Sequence, residues 1–202
     1  MRVVKTMLCL LALFPCLSLT AFAQPAENTL PKILEARAMK IVAELVEESF
    51  PELLDIKLTP KAINNPSVFL ATDIDALSIL SGDREYTLYL NQNLMTQPIS
   101  DLALKGILAH ELVHFNDYEK MNAFELAVFY VRILADARFE AEYERATDLQ
   151  SFERGYAIGI KAFRFWLYDQ ITPKAKALKE INYYTPAEID EWLLSQNEVT
   201  LL

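Results

Sequence analysis

The densest chemistry in this chain is the run His110-Glu111-Leu112-Val113-His114. On an α-helix, residues four apart lie on one face, about a turn from each other. Both imidazoles can therefore reach one metal ion. Nitrogen ligands in a tetrahedral set suit zinc, and a catalytic zinc keeps one position for water. Glu111 follows the first histidine, where its carboxylate reaches that water and not the ion. As general base it takes the water's proton during attack and can pass it to a leaving amine. The chain has 2 histidines and both fall in this motif, which argues against two stray core histidines.

A third ligand has to come from another element. Residues 139–148, FEAEYERATD, offer Glu140, Glu142 and Glu144. Zinc sites often place a further acid where it can orient a ligating histidine through its free ring nitrogen. Glu144 with Asp148 meets the one-turn spacing. Glu140 with Glu144 is the weaker match, and Glu142, four residues before Ala146, fails it. A solvated acidic face without any ligand is the plain alternative. An oxyanion also needs a donor, and no third histidine exists to supply it. Tyr183, Tyr184 and Arg154 are the candidates, each competing with a simple packing role. The run Tyr183-Tyr184-Thr185-Pro186 reads as a loop beside a cleft. Asp117, three residues past His114, either touches the site or ends the helix in solvent.

HELVH followed by ERATD, read as Glu-x-x-x-Asp, resembles the gluzincin metallopeptidases, the group of thermolysin and of the CAAX-prenyl-type endopeptidases. The flanks resemble the latter: an apolar strand at residues 86–90 ahead of Asn93-Leu94, the helix sequence LKGILAHELVH, then Gly155-Tyr156 after the second motif helix. The resemblance covers about residues 84–157. It implies one zinc per chain on His110, His114 and Glu144, with Glu111 as base and Asp148 orienting a histidine. It also implies that the strand at 86–90 is the sheet edge to which an extended substrate adds; an ordinary core strand is the equal alternative. Two departures matter. Asp117 and Lys120 stand where the Gly and His of the metzincin extension would be. The chain also shows none of the membrane helices of the integral endopeptidases, so their substrate class does not carry over.

These groups need helices to hold them. Ser100 or Asp101 caps a helix reaching about Tyr118, with Leu104, Ile107, Leu108, Leu112 and Phe115 as its buried face. Residues 122–152 read as a helical stretch with room for a break, ended by Gly155. Residues 156–168 read as a core helix despite Lys161 and Arg164, closing before Pro173. Pro186 opens a short last helix to about Leu194. Ahead of the motif, Thr29 and Pro31 start a helix whose apolar residues recur from Ile33 to Val46 and which stops at Pro51. Val68-Phe69-Leu70-Ala71 and Tyr86-Thr87-Leu88-Tyr89-Leu90 read as strands about a turn at Ser81-Gly82-Asp83. The expected fold is α+β and mainly helical: one zincin-like domain over residues 24–202, with a small N-terminal sheet and the motif on its active-site helix.

Residues 1–23 have the layout of a secretory signal peptide: Arg2 and Lys5, an apolar run at 7–19, and the small-x-small site Ala21-Phe22-Ala23. The run is short for a membrane anchor, the competing reading. Both cysteines, Cys9 and Cys16, leave with it, so no disulfide is expected. Loss of Arg2 and Lys5 takes the net charge from −9 to −11. Such a chain repels nucleic acid and anionic membrane surfaces, and no later run is long and uncharged enough to span a bilayer. Together these features predict an exported, periplasmic or secreted zinc-dependent endopeptidase acting on peptides or unfolded proteins. The alternative is a peptidase-like envelope chaperone or assembly factor with weak or no turnover.

Overall fold

The apolar spacing of the first helix produces one buried stripe. In α1, Thr29–Ser49, Leu34, Ala38, Ile41, Val42, Leu45 and Val46 all turn inward. The computed structural model describes residues 29–64, 69–92, 94 and 97–199. The expected signal peptide and its cleavage site lie outside these described residues. A single 3-10 turn, Pro51–Leu53, follows α1 and leads into β1, Lys57–Ile63. Then come β2, Leu70–Ile74, and a short α2, Ala76–Ser81. Asp75 caps α2 by accepting the Ser78 N–H at 2.8 Å, and Gly82 closes it at φ 79°. A left-handed residue there suits glycine; the chain turns at Gly82 as expected, but α2, which ends at Ser81, was not expected. β3 is Glu85–Asn91.

The sheet has the order β1-β3-β2, with β1 parallel and β2 antiparallel to β3. Along β3, Tyr86, Leu88 and Leu90 are buried, the period-2 pattern of a strand packed on one face. Of the two readings of residues 86–90, the sheet edge is overturned and the core strand is what forms. Tyr86 faces Leu58 of β1 on one side and Ile74 of β2 on the other, so β3 is central and has no free side for a substrate strand. The element that occupies its second side is β1, which contains Pro60. Proline lacks the ladder N–H and is confined to outer strands, and that is where β1 lies.

The motif helix is α3, Asp101–Lys120, started by Ser100, whose hydroxyl accepts the Ala103 N–H at 3.2 Å. It is buried through most of its length and packs against α1, β2 and two later helices. The helical stretch at 122–152 is two helices, α4, Ala123–Ala135, and α5, Ala137–Glu153. Asp136 divides them: its carboxylate accepts the N–H groups of Arg138 and Phe139 and so caps α5. Gly155, at φ 94°, ends α5. α6, Ala157–Tyr168, follows as expected. α7, Pro173–Asn182, was not expected; Thr172 caps it and Pro173 sits in its first turn. The last helix, α8, Pro186–Val199, is longer than expected.

The architecture is thus mainly helical α+β with a three-stranded sheet on one side of α3. On its other side α3 meets α5 and α6. It crosses α6 where Gly106 meets Gly159: a Cβ built on Gly106 would stand 2.1 Å from the Gly159 carbonyl carbon. The two backbones touch because neither glycine has a side chain. No helix among the described residues is long and apolar enough to cross a membrane.

Candidate metal centre

α3 presents both histidines toward α5. The two Nε2 atoms are 3.2 Å apart, with the rings edge to face and their centroids 4.8 Å apart. Glu144 on α5 brings its Oε2 to 3.1 Å from His110 Nε2 and 3.5 Å from His114 Nε2. These three side chains can hold a metal ion; their ligand atoms all lie within 4.8 Å of one another. The histidines are buried, while the Glu144 side chain is 18% exposed, so the group faces solvent on the carboxylate side. Glu140, a turn earlier, is half-buried and outside the group. Glu142 is exposed and pairs with Arg138 at 2.7 Å.

The ring nitrogens turned away from this group are both taken. His110 Nδ1–H donates to Asp148 Oδ1 at 2.8 Å. His114 Nδ1 lies 2.9 Å from the Tyr143 hydroxyl. Partners of this kind fix each ring's tautomer and orientation, leaving Nε2 for an ion. Asp148 is itself fully buried and is held by Arg164, whose Nη2 donates to both its oxygens at 3.0 and 3.1 Å. The Tyr184 N–H donates to Asp148 Oδ2 at 3.0 Å. Burial alone would raise the Asp148 pKa, but Arg164 and His110 keep it below the usual carboxylate value.

The electrostatics follow from burial and neighbours. Burial lifts Glu111 above the usual carboxylate value, against the pull of His114 and His110. Burial would lift Glu144 too, yet the His114 and His110 imidazoles hold it well below that value. Burial would lower His110, but its bonds to Asp148 and Glu144 push it up to about 9. Ligating imidazole must be neutral, so metal binding at this pair competes with protonation of His110.

The three oxyanion candidates separate. The Tyr183 ring lies 5.9 Å from the His110 ring and stays at the centre. Tyr184 serves Asp148 through its backbone, and its own ring packs on Phe152 and beneath Arg145. Arg154 is not at the site. It bonds the Ser49 carbonyl and Glu52 and stacks 4.2 Å above Phe50, tying the end of α5 to α1. Asp117 lies 3.5 Å from Lys120 and does not join the group.

Three residues that the sequence reading did not assign belong here. Tyr143 has no local signal; it reads as one more core aromatic. Arg164 had one: an arginine inside the apolar run at 156–168 must bring a carboxylate with it, and Asp148 is that partner. Lys179 of α7 sits 4.7 Å above the Tyr183 ring and belongs to a helix that was missed.

Glu144→Gln should weaken metal binding strongly, measured by competition with a chelating dye, while Glu140→Gln should not. Asp148→Asn should cost about 10 to 100-fold in affinity or activity, because it no longer fixes His110. A larger loss from Glu140→Gln would place the third ligand one turn away. Comparison of the chain with protein-family models, with curated proteins and with solved structures finds no match.

Proposed function

We propose that this chain is an exported zinc-dependent endopeptidase with a zincin-like site, zinc being bound by His110, His114 and Glu144. The observation that carries the proposal is the spacing of the three ligand atoms, at 3.1, 3.2 and 3.5 Å. Ligands about 2.0–2.1 Å from a tetrahedral zinc stand roughly 3.3 Å from one another. The donor set of two imidazoles and one carboxylate is also that of an open catalytic zinc, whereas a structural zinc takes four protein ligands. When bound, zinc would act as a Lewis acid that acidifies a water and polarises the peptide carbonyl.

The chain's own residues supply the rest. Glu111 is buried beside the ligands but is not one of them. Its carboxylate accepts the proton of the attacking water and delivers it to the amine nitrogen that leaves. Its raised pKa brings the base nearer to the working pH range, where proton transfer is most effective. Asp148 and Tyr143 hold His110 and His114 in the tautomer that presents Nε2. Tyr183 flanks the site as the candidate donor to the oxyanion. A spare buried carboxylate beside an open ligand set favours turnover over a peptidase-like chaperone. The layout of residues 1–23 supports export, and the resemblance to gluzincins through HELVH and ERATD supports peptide as substrate.

The purified protein should carry about one zinc per chain by atomic emission, as expected for one His-His-Glu set, and should cleave casein. The double variant His110→Ala, His114→Ala should carry none and be inactive. Full zinc occupancy in that variant would remove the proposed site. Zinc binding without any cleavage of casein would favour the chaperone instead.

A further inference from the structure

Most of the cations on α5, α6 and α7 have carboxylate partners among the described residues. Arg164 holds Asp148, Arg145 pairs with Glu188 at 2.7 Å, and Lys161 pairs with Asp190. Lys176, one turn before Lys179 on α7, lies 3.7 Å from Glu180. Lys179 forms no ion pair among the described residues; its contact is the Tyr183 ring, 4.7 Å below Nζ. Tyr183 also touches the Arg164 guanidinium, at 4.5 Å, and the His110 ring, at 5.9 Å. Its carbonyl accepts from Arg145 at 3.0 Å. The ring is therefore a fixed spacer that sets Lys179 beside the metal centre.

The charges that Lys179 faces are Glu144, Glu111 and Glu140, with the Arg164 cation opposing them. Glu144 is committed to the ion and Glu111 to the water, and Glu140 forms no ion pair with Lys179 among the described residues. A half-buried cation without a carboxylate partner is costly, and an anionic group arriving with a ligand relieves that cost. The chain without residues 1–23 carries −11 and repels acidic substrates, so a local cation is what admits one.

We propose that Lys179 anchors a substrate carboxylate close to the bond that is cut, which makes the site selective for acidic peptides. The inference rests on the metallopeptidase reading above. The carboxylate comes from an Asp or Glu side chain or from the α-carboxylate of a peptide end. Each offers the ammonium the same charge-assisted hydrogen bond.

The test uses the zinc-loaded protein and small probes, read by calorimetry without turnover. The probes are the monohydroxamates of succinic, glutaric, adipic and suberic acid, each compared with its terminal amide. The hydroxamate holds the metal, and the chain length sets the reach. At least one acid should bind roughly tenfold or more tightly than its amide, the scale of one charge-assisted bond. Lys179→Met should erase that preference with zinc content unchanged, and Lys179→Arg should keep it. Equal binding of acids and amides by the unmodified protein overturns the proposal and leaves the metal centre standing, as does a preference that survives Lys179→Met. Binding of no hydroxamate overturns the metallopeptidase reading and this proposal with it. Peptide pairs then identify the source: a free against an amidated C-terminus, and Glu against Gln beside the scissile bond. Lys179→Met should raise KM for the acid of one pair only. No acid–amide difference in either pair overturns the proposal.

Discussion

Glu111→Gln should remove nearly all peptidase activity and leave both the fold and the zinc in place. Glu111 is buried, only 6% exposed. Glutamine has almost the same shape and volume, so the packing around it is kept. What it lacks is a site that accepts a proton at working pH. A positioned general base contributes roughly 10² to 10⁴ in rate, and kcat for a fluorogenic peptide should fall by about that factor. Zinc content and thermal midpoint should not move, because the ligand atoms belong to His110, His114 and Glu144. Losing the zinc would mean that Glu111 is a ligand or a structural prop. Full activity with zinc retained would place the base elsewhere. A protein that works only by binding would keep its cellular role in this variant.

Local signals were the legible ones. HELVH is a pattern within one turn of one helix, and Ser100 and the apolar spacing around it are enough to place that helix. Glu144 was legible because its orienting acid, Asp148, lies one turn along the same helix. Each signal needs no knowledge of what lies across the core. The misses are groups whose role exists only across elements. Tyr143 acts on His114 of another helix, and Arg164 reaches Asp148 from α6. β1 and α7, neither of them expected, each hold a proline, Pro60 or Pro173, at a place that tolerates one: an outer strand and the first turn of a helix. The edge reading of residues 86–90 rested on the resemblance, and no expected element paired with that strand to oppose it; without α7, Lys179 had no place beside the centre. Thr172-Pro173, a capping residue followed by a proline, was a usable signal for α7.

Gly106→Ala should be among the most destabilising single-methyl changes in the protein. An alanine in a helix interior normally gains about 0.5–1 kcal/mol over glycine, so the intrinsic preference favours the substitution. The packing opposes it. The new Cβ would stand 2.1 Å from the Gly159 carbonyl carbon and 2.4 Å from the Ile160 nitrogen. Both atoms are backbone, so no side chain can swing aside and α3 and α6 have to separate. Overpacking of ordinary cores costs roughly 1–3 kcal/mol, and a clash of two backbones belongs at the top of that range. A net loss of about 2 kcal/mol or more, in a total of about 5–15, should be plain in urea denaturation. Gly159→Ala should cost less, since its Cβ would meet Leu102 O and Gly106 Cα at 2.8 Å. Ile158→Ala, on the 58% exposed side of the same helix, should change stability by no more than about 0.5 kcal/mol. His110 is one turn along α3 from Gly106, on the same face, and Arg164 reaches Asp148 from α6. Parting the helices therefore draws Arg164 away from Asp148 and loosens His110. Folded Gly106→Ala protein should consequently bind zinc more weakly than the unmodified chain, by an amount approaching that of Asp148→Asn. A variant as stable as the parent, or more stable, would mean that the two helices stand further apart than the glycine contact requires.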